Sequence, residues 1–335
     1  MMLRVGVIGC GGMGQDHIKR ITHKIQGAEV VAVTDVFEES AKKAAAICGA
    51  KVYTDGKKLI DSPEVDAVFI VSPGFAHVDS LLQAIKAGKR VFCEKPLCTT
   101  AEDCLKVVQA EADAGKHLIQ LGFMRRYDKG YQQVKAALES GTYGEPLILH
   151  CTHRNPEVGT NYNTPMAVHD TAIHEIDVLH WLVDDEYESV QVILPRVTKY
   201  SHSELKDPQI MMMRTKKGIC IDVEVFVNCK FGYDINCEVV CEDGAIKMAQ
   251  PAYPSVRKAA VASTTIDTDC FVRFEDAYDK EVQDWVDQAE QGVITGPNAW
   301  DGYLAAVTAD ALVKAQETGQ IESVITAVEK PEFYN

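Results

Sequence analysis

Apolar and polar positions change rhythm once along this chain, near residue 124. Before that point, short apolar runs alternate with stretches of helical period. LRVGVI (3–8) is an unbroken strand-like run, GCGGMG (9–14) follows, QDHIKRITHKI (15–25) reads as a helix and EVVAVTD (29–35) as a second strand. The alternation continues through helix ESAKKAAAICGA, strand VDAVFIV (65–71), helix HVDSLLQAIKAGK, strand RVFCE (90–94), helix TAEDCLKVVQAEADAGK and strand HLIQLGF (117–123). Strands separated by single helices predict an α/β domain with a parallel, doubly wound sheet, whose ligands sit at the carboxyl ends of its strands.

Beyond residue 124 the period shortens toward two. A helix (127–140) and a glycine turn (141–144) precede the strand EPLILHCTHR. After a further helix come SVQVILPRVTKY, DPQIMMMRT, GICIDVEVFVNC, YDINCEVVCED and GAIKMA, which predict an α+β domain with an open, mainly antiparallel sheet. The stretch 254–269 reads as loop, and two amphipathic helices close the chain. The expected organisation is a first domain over 1–123, a second over 124–295, and a C-terminal helix and tail over 296–335.

Composition narrows the function. The chain has 335 residues, 46% hydrophobic and 25% charged, with a formal net charge of -15. That charge argues against nucleic-acid binding, which needs a basic footprint, and gives no attraction to an anionic membrane. An anionic ligand would need a local site such as a helix N-terminus. No apolar run approaches the roughly 20 residues of a membrane-spanning helix, and the N-terminus reads as a strand rather than an export signal. Eleven cysteines scattered through helices and strands, with no C-x-x-C pair, fit reduced thiols in a cytoplasmic protein.

Gly9-Cys10-Gly11-Gly12-Met13-Gly14 fits the G-x-G-x-x-G dinucleotide fingerprint in its required context, between a strand and a helix. Gly9 makes the tight turn, Gly11 lets backbone approach a pyrophosphate, and Gly14 lets the helix pack against the strand. Asp35 ends the second strand about twenty residues on, where a carboxylate accepts both ribose hydroxyls and repels a 2′-phosphate. The cofactor expected is therefore NAD rather than NADP. Two other strand-end segments carry candidates: Ser72-Pro73-Gly74, and Glu94-Lys95-Pro96. On spacing alone Lys95 reads either as a surface lysine, the commonest fate of lysine, or as a group beside a bound nicotinamide.

The stretch VHDTAIHEIDVLHWL (168–182) sets a second question. His174-Glu175 begins a zinc-protease signature, but Val178 stands where the second histidine would be, so no metal is expected there. On one α-helix Asp170, His174, Asp177 and Trp181 form a polar stripe. Ile173, Ile176, Leu179, His180 and Val183 form a second, apolar one. His169 and His180 fall off the polar stripe and read as structural. Asp170 and His174 read either as an ordinary i,i+4 pair or as a general base with an orienting carboxylate.

The glycine motif, the S-P-x-x-x-H stretch from Ser72 to His77, Glu94-Lys95-Pro96 and Asp170-x-x-x-His174 occur in an order that resembles the glucose–fructose oxidoreductase/inositol dehydrogenase/MocA family. The likeness covers the whole chain. GFMRRYDKGY, HRNPEVGTNY, HEIDVLHWLVDDEYESVQV, VNCKFGYDI and AWDGYLAAVTADALVKAQE resemble more narrowly its inositol-oxidising branch. The resemblance implies NAD-dependent oxidation of a cyclic polyol, myo-inositol, to 2-keto-myo-inositol by a cytoplasmic homotetramer. It implies Lys95, Asp170 and His174 as catalytic residues. Gly9, Gly11, Gly12, Met13, Gly14, Asp35, Ser72, Pro73, His77, Glu94 and Lys95 are then expected at the cofactor. Met124, Arg125, His153, Asn155, Thr171, Asp177 and Tyr233 are expected around the polyol with the catalytic three. Two alternatives stay open: the same chemistry on scyllo-inositol, D-chiro-inositol or an aldose, and a non-catalytic cofactor-binding regulator on the same fold.

Overall fold

The computed structural model describes residues 2–291 and 293–334. In its first part β1 (Leu3–Ile8), α1 (Gly12–His23), β2 (Ala28–Thr34), α2 (Glu38–Cys48), β3 (Lys51–Tyr53), α3 (Gly56–Ile60), β4 (Ala67–Ile70), α4 (His77–Lys86), β5 (Arg90–Glu94), α5 (Ala101–Ala114) and β6 (Ile119–Gly122) follow one another. The strands form a sheet in the order β3-β2-β1-β4-β5-β6, with every neighbouring pair parallel. This is the predicted doubly wound sheet. The unbroken apolar runs make sense here, because helices cover both faces and β4 is buried at all four positions.

The rest of the chain supplies α6 (Lys129–Glu139), β7 (Pro146–Arg154), a π-helical segment (Ala167–Ala172) and α7 (Ile173–Val183). It continues with β8 (Tyr187–Ile193), β9 (Gln209–Thr215), β10 (Cys220–Phe226), β11 (Asp234–Cys241) and β12 (Ala245–Lys247). Last come β13 (Ser255–Lys258), β14 (Val261–Thr264), α8 (Cys270–Arg273), α9 (Glu275–Gln291), α10 (Ala299–Thr318) and β15 (Glu322–Ser323). Seven strands pair in the order β12-β11-β7-β10-β9-β8-β15, antiparallel except for the β7–β10 pair. The alternating burial of β11 is the period-two signal made visible. The expected loop at 254–269 instead contains the β13–β14 hairpin, turned by Ala259 and Ala260 at φ 52° and 61°. A residue pair without glycine or asparagine gives no turn signal, so the hairpin was invisible in sequence.

The chain divides into two compact units: Met1–Phe123 with Tyr278–Val307 and Thr326–Asn335, and Met124–Ala277 with Thr308–Ile325. The division departs from the domain limits read from sequence. Val282, Trp285, Val286 and Ala289 of α9 lie at helical spacing and pack with Val5, Phe69 and Phe92 in the core of the first unit. The Trp285 indole N–H donates to Val91 O at 3.2 Å. At the other end, the Tyr334 hydroxyl donates to the buried Glu111 carboxylate at 2.6 Å, tying the tail to α5. Among the described residues, no helix is long and apolar enough to cross a membrane.

Candidate active site

The glycine loop divides its glycines between two duties. A Cβ on Gly9, which sits at φ 97°, would lie 2.5 Å from Ser72 N, and one on Gly14 would lie 2.1 Å from Gly9 O. Those two positions are demanded by the fold itself. A Cβ on Gly11 or Gly12 would meet nothing within 4 Å. Both face open space, where a ligand's backbone approach is what a side chain would obstruct. Gly11 caps α1 without a side-chain hydrogen bond and no acid occupies the first turn, so the helix N-terminus offers its N–H groups and positive dipole end to an anion. Met13 is half-buried beside it.

Asp35 stands at the end of β2. Its carboxylate accepts the Cys10 N–H at 2.7 Å and the Phe37 N–H at 2.8 Å, which fixes it against the glycine loop. A cavity of about 490 Å³ opens there, lined by Gly9, Asp35, Ser72 and Pro73. Thr54 to Lys57, Phe75 and Gln83 also line it, and none of these was read from sequence. Thr54 to Lys57 follow the three-residue β3, too short a strand to be seen, while Phe75 lies inside the Ser72–His77 stretch and Gln83 on α4, with nothing local to mark either. The residues fit a dinucleotide: a glycine cradle open to phosphates, a fixed acid for a ribose diol, and an apolar wall including Phe75.

His77 and Glu94 are both held by hydrogen bonds within the protein. His77 is fully buried, with Nε2 2.6 Å from Ser72 O and Nδ1 2.8 Å from Pro96 O. Burial lowers its pKa. The ring thus ties the two strand-end segments together. Glu94 ends β5, and its carboxylate takes the Lys95 N–H at 3.1 Å and lies 2.8 Å from His17 Nε2. Lys95 follows, half-buried.

In the second unit, Asp170 and His174 do not share one regular α-helix. Asp170 and Thr171 lie in the π-helical segment, and His174 in the first turn of α7. The wider π turn breaks the 3.6-residue register, and such turns occur often at functional sites. The expected division into a polar and an apolar stripe is replaced by burial: every residue from Thr171 to Leu179 is buried. Asp170 itself is exposed. The physical reason is that the acids of α7 are neutralised by arginines. Arg126 Nε donates to Asp177 Oδ2 at 3.0 Å and its Nη2 to Asp177 Oδ1. Arg125, also buried, donates from Nη1 to Glu175 Oε1. Burial pushes the Glu175 carboxyl up, but Arg125 and His153 outweigh it and hold the group below its ordinary value.

His153 joins this network. Its Nδ1 lies 2.9 Å from Glu175 Oε2 and 3.0 Å from Arg125 Nη2, and its Nε2 lies 3.5 Å from the Tyr233 hydroxyl. The His153 and His174 rings are 6.4 Å apart. Burial raises the Tyr233 phenol. The structure therefore gathers Arg125, His153, His174 and Tyr233, with Glu175 and Arg126 as members that sequence reasoning missed. Glu175 was passed over once the zinc signature failed. Its partner Arg125 is 50 residues away, and no local pattern marks such a pair. Met124 is buried, Thr171 shares a 2.5 Å hydrogen bond with the Tyr162 hydroxyl, and Asn155 is half-buried beyond the end of β7. His180 packs against Tyr187 and His169 is half-buried. Among the described residues, no group of three or more His, Cys, Asp or Glu side chains could hold a metal ion.

The chain is similar to known proteins over its whole length. Residues 3–123 match an oxidoreductase family's NAD-binding Rossmann fold, and residues 135–325 match that family's C-terminal alpha/beta domain. An inositol 2-dehydrogenase of Pseudomonas syringae pv. syringae is 53% identical over 337 residues, covering 100% of both chains. An inositol 2-dehydrogenase/D-chiro-inositol 3-dehydrogenase of Halalkalibacterium halodurans is 52% identical, covering 100% of this chain and 97% of that protein. The crystal structure of a myo-inositol dehydrogenase from Lactobacillus casei in complex with NAD(H) and myo-inositol superposes with a TM-score of 0.97. It is 43% identical, with 100% of both chains covered.

Proposed function

The chain belongs to the glucose–fructose oxidoreductase/inositol dehydrogenase/MocA family of oxidoreductases, and from that premise we propose that it oxidises myo-inositol to 2-keto-myo-inositol with NAD⁺. It is an NAD-dependent inositol dehydrogenase. The observation that carries this reading is full-length identity of about one half to inositol 2-dehydrogenases, on a chain whose glycine cradle and Asp35 suit NAD.

Bound NAD⁺ supplies the hydride acceptor. Gly11, Gly12 and the α1 N-terminus hold its phosphates, and Asp35 accepts from its ribose diol while disfavouring a 2′-phosphate. His174 takes the hydroxyl proton, Asp170 orients it, and Lys95 donates to the reacting oxygen and stabilises developing negative charge. His153, Asn155, Thr171 and Tyr233 present polar groups to the ring hydroxyls, with Met124 as apolar wall. Arg125 and Asp177 support these groups through their ion pairs. Lys95→Ala should lower turnover by at least about a hundredfold and leave NAD binding intact; near-normal turnover would remove Lys95 from the chemistry.

The protein is further proposed to be a cytoplasmic homotetramer. Eleven free cysteines suit a reducing compartment. Leu147, Ile148 and Ile193 of the seven-stranded sheet are exposed, an apolar surface that a second copy would cover. Light scattering reads the mass directly, and a monomer would end this part of the proposal.

The experiment for the substrate is NADH formation from NAD⁺ with myo-, scyllo- and D-chiro-inositol and glucose. Preference for myo-inositol supports the reading. Preference for another isomer keeps the chemistry and changes the substrate. NAD binding without turnover on any of the four leaves the regulator.

A further inference from the structure

His17 lies on α1, one turn beyond Gly14, and is fully buried. Its ring stands edge-on to Phe69 and Phe92, both at 5.5 Å, and to Tyr278 at 6.1 Å. A leucine or phenylalanine would fill such a cage without the desolvation cost of a polar ring. Among the described residues the ring's polar contact is Nε2 to Glu94 Oε1 at 2.8 Å, and Nδ1 has no hydrogen-bond partner. The other Glu94 oxygen accepts the Lys95 N–H at 3.1 Å. An ionised Glu94 thus accepts through both oxygens, with His17 Nε2–H as one of its two donors. The fold makes room for this carboxylate: a Cβ on Gly122 would press to 3.1 Å of it.

We propose that His17 is a positioning residue for the reaction. Through Glu94 it fixes the main chain at Lys95, and so the aim of the lysine. It also links the helix whose N-terminus receives the cofactor's phosphates to the group that polarises the substrate oxygen. The proposal rests on the reading of Lys95 as catalytic.

The test compares kcat for myo-inositol oxidation with the NADH dissociation constant from fluorescence. His17→Leu keeps the apolar cage and removes the donor. It should lower kcat at least about tenfold while NADH affinity stays within about threefold. His17→Gln, whose amide can donate to Glu94, should recover most of the loss. In a Lys95→Ala background His17→Leu should change kcat by less than about twofold, because a residue acting through Lys95 has nothing left to act on. A His17→Leu enzyme with near wild-type kcat, or a loss that multiplies with that of Lys95→Ala, overturns the proposal. Near-normal turnover by Lys95→Ala alone would instead overturn the assignment of Lys95, and this inference with it; that result needs no His17 variant. Should His17→Leu fail to fold, Glu94→Gln carries the same comparison. Its amide faces the His17 Nε2–H or the Lys95 N–H, or else His17 moves its proton to Nδ1, which has no acceptor among the described residues; the same loss and the same non-additivity are expected, and an unchanged kcat contradicts the proposal.

Discussion

The cofactor cavity in the first unit is shaped largely by main chain. Gly9 turns at positive φ, Gly14 touches Gly9 O, and Asp35 is held by two backbone N–H groups. Around α7 in the second unit the corresponding work falls to buried side chains: Arg125 on Glu175, Arg126 on Asp177, and His153 on Glu175. Main chain packed this closely tolerates only glycine at Gly9 and Gly14, so it leaves a short motif whatever the sequence distance of its contacts. Side-chain networks close over 22 to 51 residues and leave none. The first kind of site should fail through binding, the second through stability.

The largest effect expected is at Glu175. Glu175→Ala strands a buried guanidinium, and removing one partner of a buried ion pair costs about 3–5 kcal/mol. Denaturant unfolding measures this; a loss below about 1 kcal/mol would show that α7 does not depend on its ion pairs. Next is Gly14→Ala, where the new methyl group meets a backbone oxygen that cannot step aside. Both stability and NAD affinity should fall, the latter by at least about tenfold. Gly11→Ala sharpens the contrast. With nothing near its Cβ, stability should stay within about 0.5 kcal/mol while NAD affinity drops; an unchanged affinity would mean that no ligand backbone approaches there.

Asp35→Ser should reduce the preference for NAD over NADP by about tenfold, read from the ratio of kcat/KM values. An unchanged ratio would detach Asp35 from the ribose. The smallest effect is at the β13–β14 turn, the second unit's own main-chain strain. Ala260→Gly at φ 61° should raise stability by about 1 kcal/mol, since only glycine adopts that region freely. A drop in Tm would place the turn under some other constraint.

The same contrast explains what the sequence could tell. The glycine loop, Asp35 and the parallel sheet were legible because apolar runs, turn residues and helix period are local signals. Lys95 and His174 stood out only through resemblance, since a lysine after a strand and a histidine in a helix are ordinary by themselves. The π-helical segment was hidden because nothing in AVHDTA distinguishes a π turn from an α turn. The ion pairs of α7 were hidden for a further reason. Its acids looked like a polar face when the arginines that bury them, at 125 and 126, belonged to another part of the chain. His17 was in view on the helix after the fingerprint, but its partner Glu94 is 77 residues on.

The central claim is hydride transfer from an inositol carbon to NAD⁺. Single-turnover NADH formation from myo-inositol deuterated at C2 tests it most directly. A slower rate than with unlabelled substrate, with the deuterium recovered in the NADH, is the result predicted. NAD⁺ bound at saturation with no NADH formed, or NADH formed without the label, would contradict it.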